Sequence, residues 1–336
     1  MHGGKEVKIK AVDIAKKLNL SKATVSLALN NKPGVSPATR DAIYQCIAEM
    51  EEKTESQTKK LIKNIVVLGM LSEYAEMDLS TDAYEEKDRG ARQLGYTLGL
   101  TYVNIDSQEE IMQAIRDANE ENVAGVILSG TEMKPEQFEV FRQIRKPMVV
   151  EDNYLGDDYH CSVIDNVATV CNLVDLVVAR GCRNLKYLGN SIDIYNFRER
   201  KAGFRAGLRK NRLELRDDSI VLMGKTIDEV YKNMLKYLQV NKLPDAFIMD
   251  NYQVSIGVMK ALKELNISVP RDVSLVGVDE LPSFVLSDYR LTTMNICHVD
   301  KSMPLLFMLD QEIKGNLTSK FKIMSHCELQ MGNSIR

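Results

Sequence analysis

The sequence predicts an α/β protein in which a small helical head precedes a larger, two-lobed body. Residues 9–50 have the spacing of three short helices, and from Ile65 onward continuous apolar runs alternate with helical stretches. Continuous apolar strands separated by helices are typical of parallel sheets covered on both faces. About 270 residues of this pattern exceed what one doubly wound sheet needs, so we expect two lobes with a cleft between them.

The composition excludes several classes of protein. The chain has 336 residues, of which 44% are hydrophobic and 27% charged, values typical of a globular protein and not of a disordered or fibrous one. No run approaches the roughly 18 apolar residues of a membrane span, and no apolar signal segment follows the first residues, so we expect a cytoplasmic protein. Six cysteines without a CxxC pair and four scattered histidines predict reduced thiols, no metal and no cofactor.

The charge is unevenly distributed along the chain. Residues 1–63 hold 12 Lys and Arg against 7 Asp and Glu, whereas residues 64–336 hold 32 against 40. A basic head on an acidic body indicates a small module that binds a polyanion, attached to a domain with another task.

The first helix of the head is predicted at 11–18. Apolar residues recur there with helical spacing at Val12, Ala15 and Leu18, which we expect on the inner face. Asn19 follows the helix at a position that favours a residue tolerant of the left-handed conformation. A turn is therefore expected directly after Leu18.

Hydroxyl caps predict the next two helices. Ser21 offers an N-cap for a second helix that ends at Leu29, with Val25 and Leu29 expected on its inner face. Ser36 caps a third helix, and Pro37 occupies its first position, where a missing N–H costs nothing.

The first two helices and their short turn match the helix-turn-helix pattern. Small Ala15, turn residue Asn19 and apolar Val25 are spaced by four and six residues. Such a unit places the N-terminal end of its second helix in the DNA major groove. The same three positions are also compatible with the end of a plain helical bundle, so this pattern alone leaves both hypotheses open.

Longer motifs carry a more specific signal. They are Val12-Asp13-Ile14-Ala15, the run Ser21-Lys22-Ala23-Thr24-Val25-Ser26-Leu27-Ala28-Leu29-Asn30, and Lys32-Pro33-Gly34-Val35-Ser36 followed by Thr39-Arg40. Together they resemble the head of the LacI-type (LacI/GalR) family of bacterial transcription regulators. The resemblance implies a DNA-binding domain at 1–50.

The resemblance also implies a role for individual head residues. Lys22 and Ala23 stand where the family's base-contacting side chains project, and Leu27 stands where many members carry an arginine or another base contact. Thr24, Ser26 and Asn30 match positions that contact phosphates or fix the register of the helix. An apolar Leu27 can pack on a thymine methyl but cannot bridge a guanine edge, which leaves base preference to Lys22 and DNA shape. Lys22 could instead be solvated or contact a phosphate.

The segment 51–63 is predicted as a hinge or linker. Family members carry a hinge there that becomes helical on DNA and inserts a leucine into the minor groove. Leu61 occupies the wedge position, but the hinge's tyrosine, proline, asparagine and alanine are missing, and three glutamates lie near the phosphates. A flexible polar linker and a working hinge helix are therefore both compatible with the sequence.

The resemblance extends over the body and hence nearly the whole chain. Its landmarks are Pro147-Met148-Val149-Val150, Val163-Ile164-Asp165-Asn166, Arg200-Lys201-Ala202-Gly203-Phe204, Val273 to Asp279 and Leu291-Thr292-Thr293. The family's regulatory domain has the two-lobed, doubly wound type I periplasmic-binding-protein fold. For the effector-binding and dimerisation domain at 64–336, this implies a first lobe of about 64–163 and 294–322 and a second of about 164–293 and 323–336.

The resemblance implies an effector pocket between the lobes. Asp152, Arg200, Asn251 and Asp279 follow strand ends at family spacing, and in sugar-responsive members these positions hold the effector. Carboxylates, amides and a guanidinium are suited to hydroxyl groups. Asp279 could instead cap a turn, and Arg200 could form an ion pair within a lobe. Tyr74 is expected to supply a stacking face.

Departures from the family pattern make the effector class an open question. Tyr252 stands where an aspartate usually follows Asn251, and the first-lobe loop lacks its usual sequence. A sugar or sugar derivative is the leading hypothesis for the effector, and another metabolite or a protein partner are the alternatives. The whole pattern predicts a DNA-binding regulator, most simply a repressor. Because no leucine-heptad tail follows residue 325, we expect a homodimer and not a tetramer. The two-fold symmetry of a dimer predicts a near-palindromic DNA operator.

Two other classes of function are compatible with parts of the sequence. A ligand-binding receptor of the periplasmic type without a DNA function would share the body but does not explain the head. An enzyme on a doubly wound sheet has no nucleophile–base pair, GxGxxG, Walker or G-x-S-x-G motif in its favour. The sequence therefore predicts a protein that is not an enzyme.

Overall fold

A computed structural model describes residues 11–61, 63–72, 81–279, 281, 285, 288–295 and 302–336. The chain divides into two compact units, Met1–Lys63 and Asn64–Arg336. The first unit is the helical head and the second is the α/β body. No helix among the described residues is long and apolar enough to cross a membrane.

The described part of the head, residues 11–61, forms the helices α1 (Ala11–Lys17), α2 (Lys22–Leu29) and α3 (Pro37–Leu61). Both predicted caps are confirmed, since the Ser21 hydroxyl accepts from the Thr24 N–H at 3.0 Å and the Ser36 hydroxyl from the Thr39 N–H at 3.1 Å. Asn19 has a φ of 51°, as expected for the left-handed turn residue.

The core of the head differs from the predicted one at two positions. Val12 is 51% exposed and Leu29 is 41% exposed, so the expectation that both face inward is wrong. The inner stripe of α1 runs through Ala11, Ile14, Ala15 and Leu18, a spacing of three, four and seven that leaves Val12 outside it. On α2 the buried residues are Val25 and Ala28.

Helix α3 continues without interruption to Leu61. Residues 51–61, predicted as a hinge or flexible linker, are therefore helical. Leu61 is the last residue of this helix, and strand β1 (Lys63–Leu71) begins two positions later.

The described residues of the body form two six-stranded sheets. The first has the order β11-β5-β4-β3-β1-β2 and the second β12-β10-β9-β8-β6-β7. The strands of the first sheet are β1, β2 (Tyr96–Asn104), β3 (Val123–Ser129), β4 (Met148–Glu151), β5 (His160–Ile164) and β11 (Lys322–Ser325). Those of the second are β6 (Leu185–Asn190), β7 (Ile220–Gly224), β8 (Ala246–Met249), β9 (Ser274–Val278), β10 (Thr292–Asn295) and β12 (Glu328–Gln330).

Helices cover both faces of these sheets. They are α4 (Thr81–Gln93), α5 (Gln108–Ala118), α6 (Pro135–Phe138), α7 (Asn166–Ala179), α8 (Tyr195–Lys210), α9 (Ile227–Val240), α10 (Tyr252–Glu264) and α11 (Ser302–Ile313), with a short 3₁₀ helix at Glu139–Gln143. Along β1, Val66 and Leu68 enter one core while Ile65 and Val67 enter another on the opposite face. This double burial explains why the strand has no polar alternation and confirms the predicted α/β class.

The chain passes between the lobes three times. It leaves the first sheet after β5, returns after β10 to place α11 and β11 on the first lobe, and ends with β12 in the second sheet. The described pairings are parallel except for β10 with β12, which is antiparallel. The last crossing follows Ser325, three residues beyond the predicted lobe boundary at 322.

The crossing of α7 and α8 depends on Gly203. A Cβ added there would lie 2.5 Å from the backbone oxygen of Val167, which cannot move without displacing α7. We expect Gly203→Ala to lower the free energy of unfolding by about 3 kcal/mol through overpacking. Urea denaturation measures this. Gly99→Ala is the matched control, since its Cβ would meet nothing closer than 3.4 Å, and an equal loss in both variants would contradict the packing argument.

Candidate functional site

The N-terminal end of α2 forms an exposed polar surface on the head. Lys22, Ala23, Ser26 and Asn30 are exposed, and Thr24 and Leu27 are half-buried. The Thr24 hydroxyl lies 2.8 Å from that of Ser21, and the Asn30 amide donates to the Ser26 carbonyl at 2.8 Å. The helix start is thus held by its own polar side chains, while the side chain of Lys22 makes no hydrogen bond or ion pair within the described part of the chain.

Arg40 fixes the loop that follows α2, a role that the sequence did not reveal. Its guanidinium donates to the carbonyl of Ala28 at 2.9 Å and of Lys32 at 3.0 Å, and to the Asn31 side chain at 2.6 Å. One side chain on α3 therefore satisfies two carbonyls near the end of α2. This explains why the motif needs an arginine five residues after Val35 and holds α2 at a fixed angle to α3.

In the body, Arg200 lies where three elements of the second lobe meet. It is 5% exposed, and its Nε donates to Asn166 Oδ1 at 2.8 Å. Its Nη1 donates to the backbone carbonyl of Asp250 and lies 3.6 Å from Asp279 Oδ2. Since Asn166 begins α7 and the two aspartates follow β8 and β9, one guanidinium joins the three. The alternative of an ion pair within a lobe thus describes the observed contact with Asp279.

Two of the predicted residues occupy unusual backbone conformations after their strands. Asp152 follows β4 with a φ of 57°, and Asp279 follows β9 with a φ of 73°. Aspartate tolerates this left-handed region better than most residues, because its short side chain can bond locally. The turns direct the chain away from the sheets at the carboxyl ends of the strands, where ligands bind in such folds.

Asn251 has a structural task at the same edge. Its side chain caps α10 by accepting from the Val254 N–H at 2.9 Å. Arg200, Asn251 and Asp279 therefore lie together in the second lobe, while Tyr74 lies outside the described residues. The Thr226 hydroxyl caps α9 by accepting from the Glu229 N–H at 3.3 Å.

A chain of side-chain hydrogen bonds connects this group to the first lobe. Arg200 donates to Asn166, whose amide donates to Asn196 Oδ1 at 3.0 Å. The Asn196 amide then donates to the Asp152 carbonyl at 3.3 Å. A second contact between lobes is made by Lys322 of β11, whose Nζ donates to the hydroxyl of Tyr195 at 2.8 Å. The arginine is thus coupled to the relative position of the two lobes.

Asp250 is a titratable group of this site that the sequence did not reveal. It is fully buried; its Oδ2 accepts from the Asn190 N–H at 2.9 Å and from the Tyr187 hydroxyl at 3.3 Å, while Oδ1 has no hydrogen-bond partner among the residues that the structure describes. Burial raises the pKa of its carboxyl to about 7, although nearby Arg200 acts in the opposite direction. Asp250, directly before Asn251, therefore exchanges its proton near neutral pH.

A second buried acid lies at the matching position in the first lobe. Glu151, directly before Asp152, has a side chain that is 5% exposed and forms an ion pair with Lys87 of α4 at 2.8 Å. Acid and base lie on different elements, 64 positions apart, so sequence spacing did not signal the pair. Within the described ranges, no cluster of His, Cys, Asp or Glu could hold a metal ion.

Two family models match this chain. Residues 10–51 match the bacterial regulatory proteins of the lacI family, and residues 174–332 match a periplasmic-binding-protein-like domain. Together the matches cover more than half of the chain, and they fall on the head and on the body.

Relatives and solved structures of similar length support the same assignment. An HTH-type transcriptional repressor PurR of Actinobacillus pleuropneumoniae is 24% identical over 328 residues, covering 96% of this chain and 97% of that protein. A ribose operon repressor of Halalkalibacterium halodurans is 26% identical over 84% of this chain and 83% of that protein.

The fold is shared with known structures over nearly its whole length. A lac repressor dimer bound to operator and an anti-inducer has a TM-score of 0.71 at 19% identity, covering 97% of this chain and 98% of that chain. A complex of the transcriptional regulator CelR with cellobiose has a TM-score of 0.69 at 20% identity, covering 97% and 100%. The type I periplasmic-binding-protein architecture expected for the body is thereby confirmed.

Proposed function

Because this chain belongs to the lacI family of bacterial regulatory proteins, we propose that it is a repressor. Its affinity for a DNA operator is controlled by a small molecule that binds between the lobes of the body. The observation that carries the proposal is the head. Its second helix begins with exposed Lys22 and Ala23 and is fixed by the Ser21 cap and by Arg40. A rigid helix with an open N-terminal end is what insertion into a major groove requires.

Two such heads are needed for a specific operator. We propose a homodimer that binds a near-palindromic site, since the two-fold axis of a dimer repeats each half-site. Leu61, at the end of α3, is proposed to act as a minor-groove wedge, because helix continues to this position. A regulator of this kind works on the chromosome, and we place it in the cytoplasm.

Selection from a random duplex library tests the DNA function directly. We expect enrichment of near-palindromic sites whose half-sites lie about one helical turn apart. A library that yields no enriched site at moderate salt would instead favour a ligand-binding receptor without a DNA function.

Lys22 is the residue on which base preference is expected to depend. Because it is the one charged side chain at the open end of α2, Lys22→Ala should relax preference at its base pair by about 1–3 kcal/mol while sparing most of the total affinity. The measurement is the enriched-site profile of the variant beside wild type, with Lys16→Ala on α1 as a control of equal charge. An unchanged profile with uniformly weaker binding would assign Lys22 to a phosphate.

For the effector we propose a sugar or sugar derivative. The supporting observation is the group formed by Arg200, Asn251 and Asp279, joined to Asp152 by the hydrogen-bond chain across the lobes. These side chains can satisfy the donors and acceptors of several hydroxyls. A ligand that changes any link of this chain changes how the lobes are held, which is the means of control that we propose.

Thermal stability against a panel of compounds identifies the class. The panel holds sugars, sugar phosphates, nucleobases and amino acids. A ligand at 100 times its Kd adds about 2.7 kcal/mol, which raises Tm by several degrees. Stabilisation by sugars supports the proposal. Stabilisation by another class would reassign the pocket, and a panel without effect would favour a protein partner as the signal. Turnover of any panel compound would revive the hypothesis of an enzyme.

A further inference from the structure

The outward face of α8 carries a stripe of positive charge that the proposed function does not use. Arg198, Lys201, Arg205 and Arg209 are spaced by three or four residues and so lie on one face of the helix, and Arg212 follows at the same spacing just beyond its end. Arg198 pairs with Asp193 at 3.2 Å, but the other four side chains make no ion pair with any described residue. We call these five residues the basic stripe.

The basic stripe is unusual because the body as a whole is acidic. Residues 64–336 hold 32 basic and 40 acidic side chains, yet four unpaired cations lie together here. Like charges held side by side raise the free energy of the isolated protein and favour an anionic partner. The buried Arg200 belongs to the opposite face of the helix and is not part of this surface.

An open sheet edge lies beside the basic stripe. Strand β7 is the last strand of the second sheet, and among the described residues it pairs with β6 alone. Lys201 and Arg205 line a groove of about 480 Å³ together with residues of β7 and of the loop before it. Leu215 and Leu222 face the same groove and are 47% and 51% exposed. Cations and exposed apolar side chains thus border a strand whose outer edge pairs with no other strand in the described part of the chain.

We propose that this surface binds an acidic protein segment that adds a strand to β7. Backbone hydrogen bonds to the free edge would supply affinity, as in other cases of strand addition. Alternate side chains of the added strand would cover Leu215 and Leu222, and acidic side chains would lie against Lys201 and Arg205. The partner is therefore a segment in which acidic and apolar residues alternate.

Two other occupants fit the surface less well. A nucleic-acid backbone would match the basic stripe but would leave Leu215 and Leu222 against a polar partner, with Asp217 in the same groove. A second copy related by a two-fold axis would bring one basic stripe towards the other, which like-charge repulsion opposes. Charge complementarity and the open edge together favour the acidic segment.

The test uses the full-length protein and a defined probe. The probe is an eight-residue peptide in which glutamate and valine alternate, labelled for fluorescence anisotropy at low salt. We expect saturable binding that weakens at least roughly tenfold in the double variant Lys201→Glu, Arg205→Glu. Lys263→Glu, an exposed charge reversal on α10, is the control and should bind like wild type. The same peptide with N-methyl groups on alternate amides should not bind, because strand addition needs its N–H groups.

Each remaining outcome would overturn the proposal. Absence of probe binding to wild type at millimolar peptide would do so, as would equal binding by the double variant. If the double variant loses affinity for a random-sequence duplex while Lys263→Glu does not, the surface binds nucleic acid. If the double variant changes the sedimentation of the protein alone, the surface is an interface between copies. None of these results depends on whether a sugar is the effector.

Discussion

Arg200→Ala is expected to remove the response to the effector and to lower the free energy of unfolding of the body by about 3–5 kcal/mol. The substitution leaves Asn166 Oδ1 without its donor, and the Asp250 carbonyl and Asp279 carboxylate lose a positive partner in a nearly buried place. A buried acceptor that loses its charged donor lowers the free energy of unfolding, because its own loss of hydration is no longer compensated by a hydrogen bond. The hydrogen-bond chain to Asp152 loses its first member at the same time.

The two effects can be separated by comparing variants. Arg200→Lys keeps the charge but cannot serve three acceptors with one planar fork, so it should recover part of the stability and little of the effector response. Arg209→Ala, on the exposed face of the same helix, should change stability by less than about 0.5 kcal/mol. Urea denaturation gives stability, and the shift of Tm with the panel compound gives the response.

DNA binding is the second readout for these variants. The head is a separate compact unit, so operator affinity should persist at temperatures where Arg200→Ala is folded. If the variant keeps its stability and still responds to the effector, Arg200 does not contribute to the effector pocket. Loss of operator binding in the folded variant would show that the arginine also maintains the DNA-binding state.

Elements with strong local signals were predictable from the sequence. The caps of α2 and α3 rest on Ser21 and Ser36, whose hydroxyls bond N–H groups three positions later, so short-range order decides them. The strands at the centres of the sheets are predictable because burial on both faces demands continuous apolar runs, as in β1 and β9.

Elements without a strong local pattern include several that lie at the edges of the sheets or depend on distant partners. Strand β7 has an exposed Leu222, the short β11 alternates in burial, and the short β12 is largely exposed, because an edge strand needs no continuous apolar run. Helix α11 is apolar on most sides, so its spacing does not distinguish it from a strand. These patterns become helix or strand only through the neighbours they meet in the lobes.

The candidate site divides along the same line. The resemblance to the family located four pocket residues, Asp152, Arg200, Asn251 and Asp279. The structure brings the last three of them together in one lobe. Asp250 and Glu151 were not located, since a carboxylate at the end of a strand has the same appearance in sequence whether it is solvated or buried. Burial of Asp250 depends on Tyr187 and Asn190, which are 63 and 60 positions away.

The pH dependence of stability should reveal Asp250. Burial raises its pKa to about 7 from the ordinary value of 3.8, so the folded chain keeps a proton that the unfolded chain has released. The stabilisation is complete below the unfolded pKa and is lost as the pH rises through the folded one. Between about pH 5 and about pH 8, this group alone should cost wild type on the order of 2–3 kcal/mol.

Asp250→Asn should abolish that loss, because an amide can still accept from the Asn190 N–H but carries no charge to desolvate. The difference between wild type and variant isolates Asp250 from carboxylates such as Asp245 and Glu312, whose lowered pKa values act in the opposite direction as the pH falls. The variant should therefore be the more stable protein at alkaline pH, measured as the free energy of unfolding in urea across the pH range.

Tyr187→Phe provides the independent check. It removes the hydroxyl that donates to Asp250 Oδ2 at 3.3 Å, a bond that favours the charged carboxylate, so the pKa of Asp250 should rise further and the loss of stability should move to higher pH. Parallel pH curves for wild type and Asp250→Asn would mean that the carboxyl is ionised at neutral pH, held so by Arg200. A proton held here would instead couple the group formed by Arg200, Asn251 and Asp279 to pH, since Asp250 and Asp279 repel each other only when both are charged.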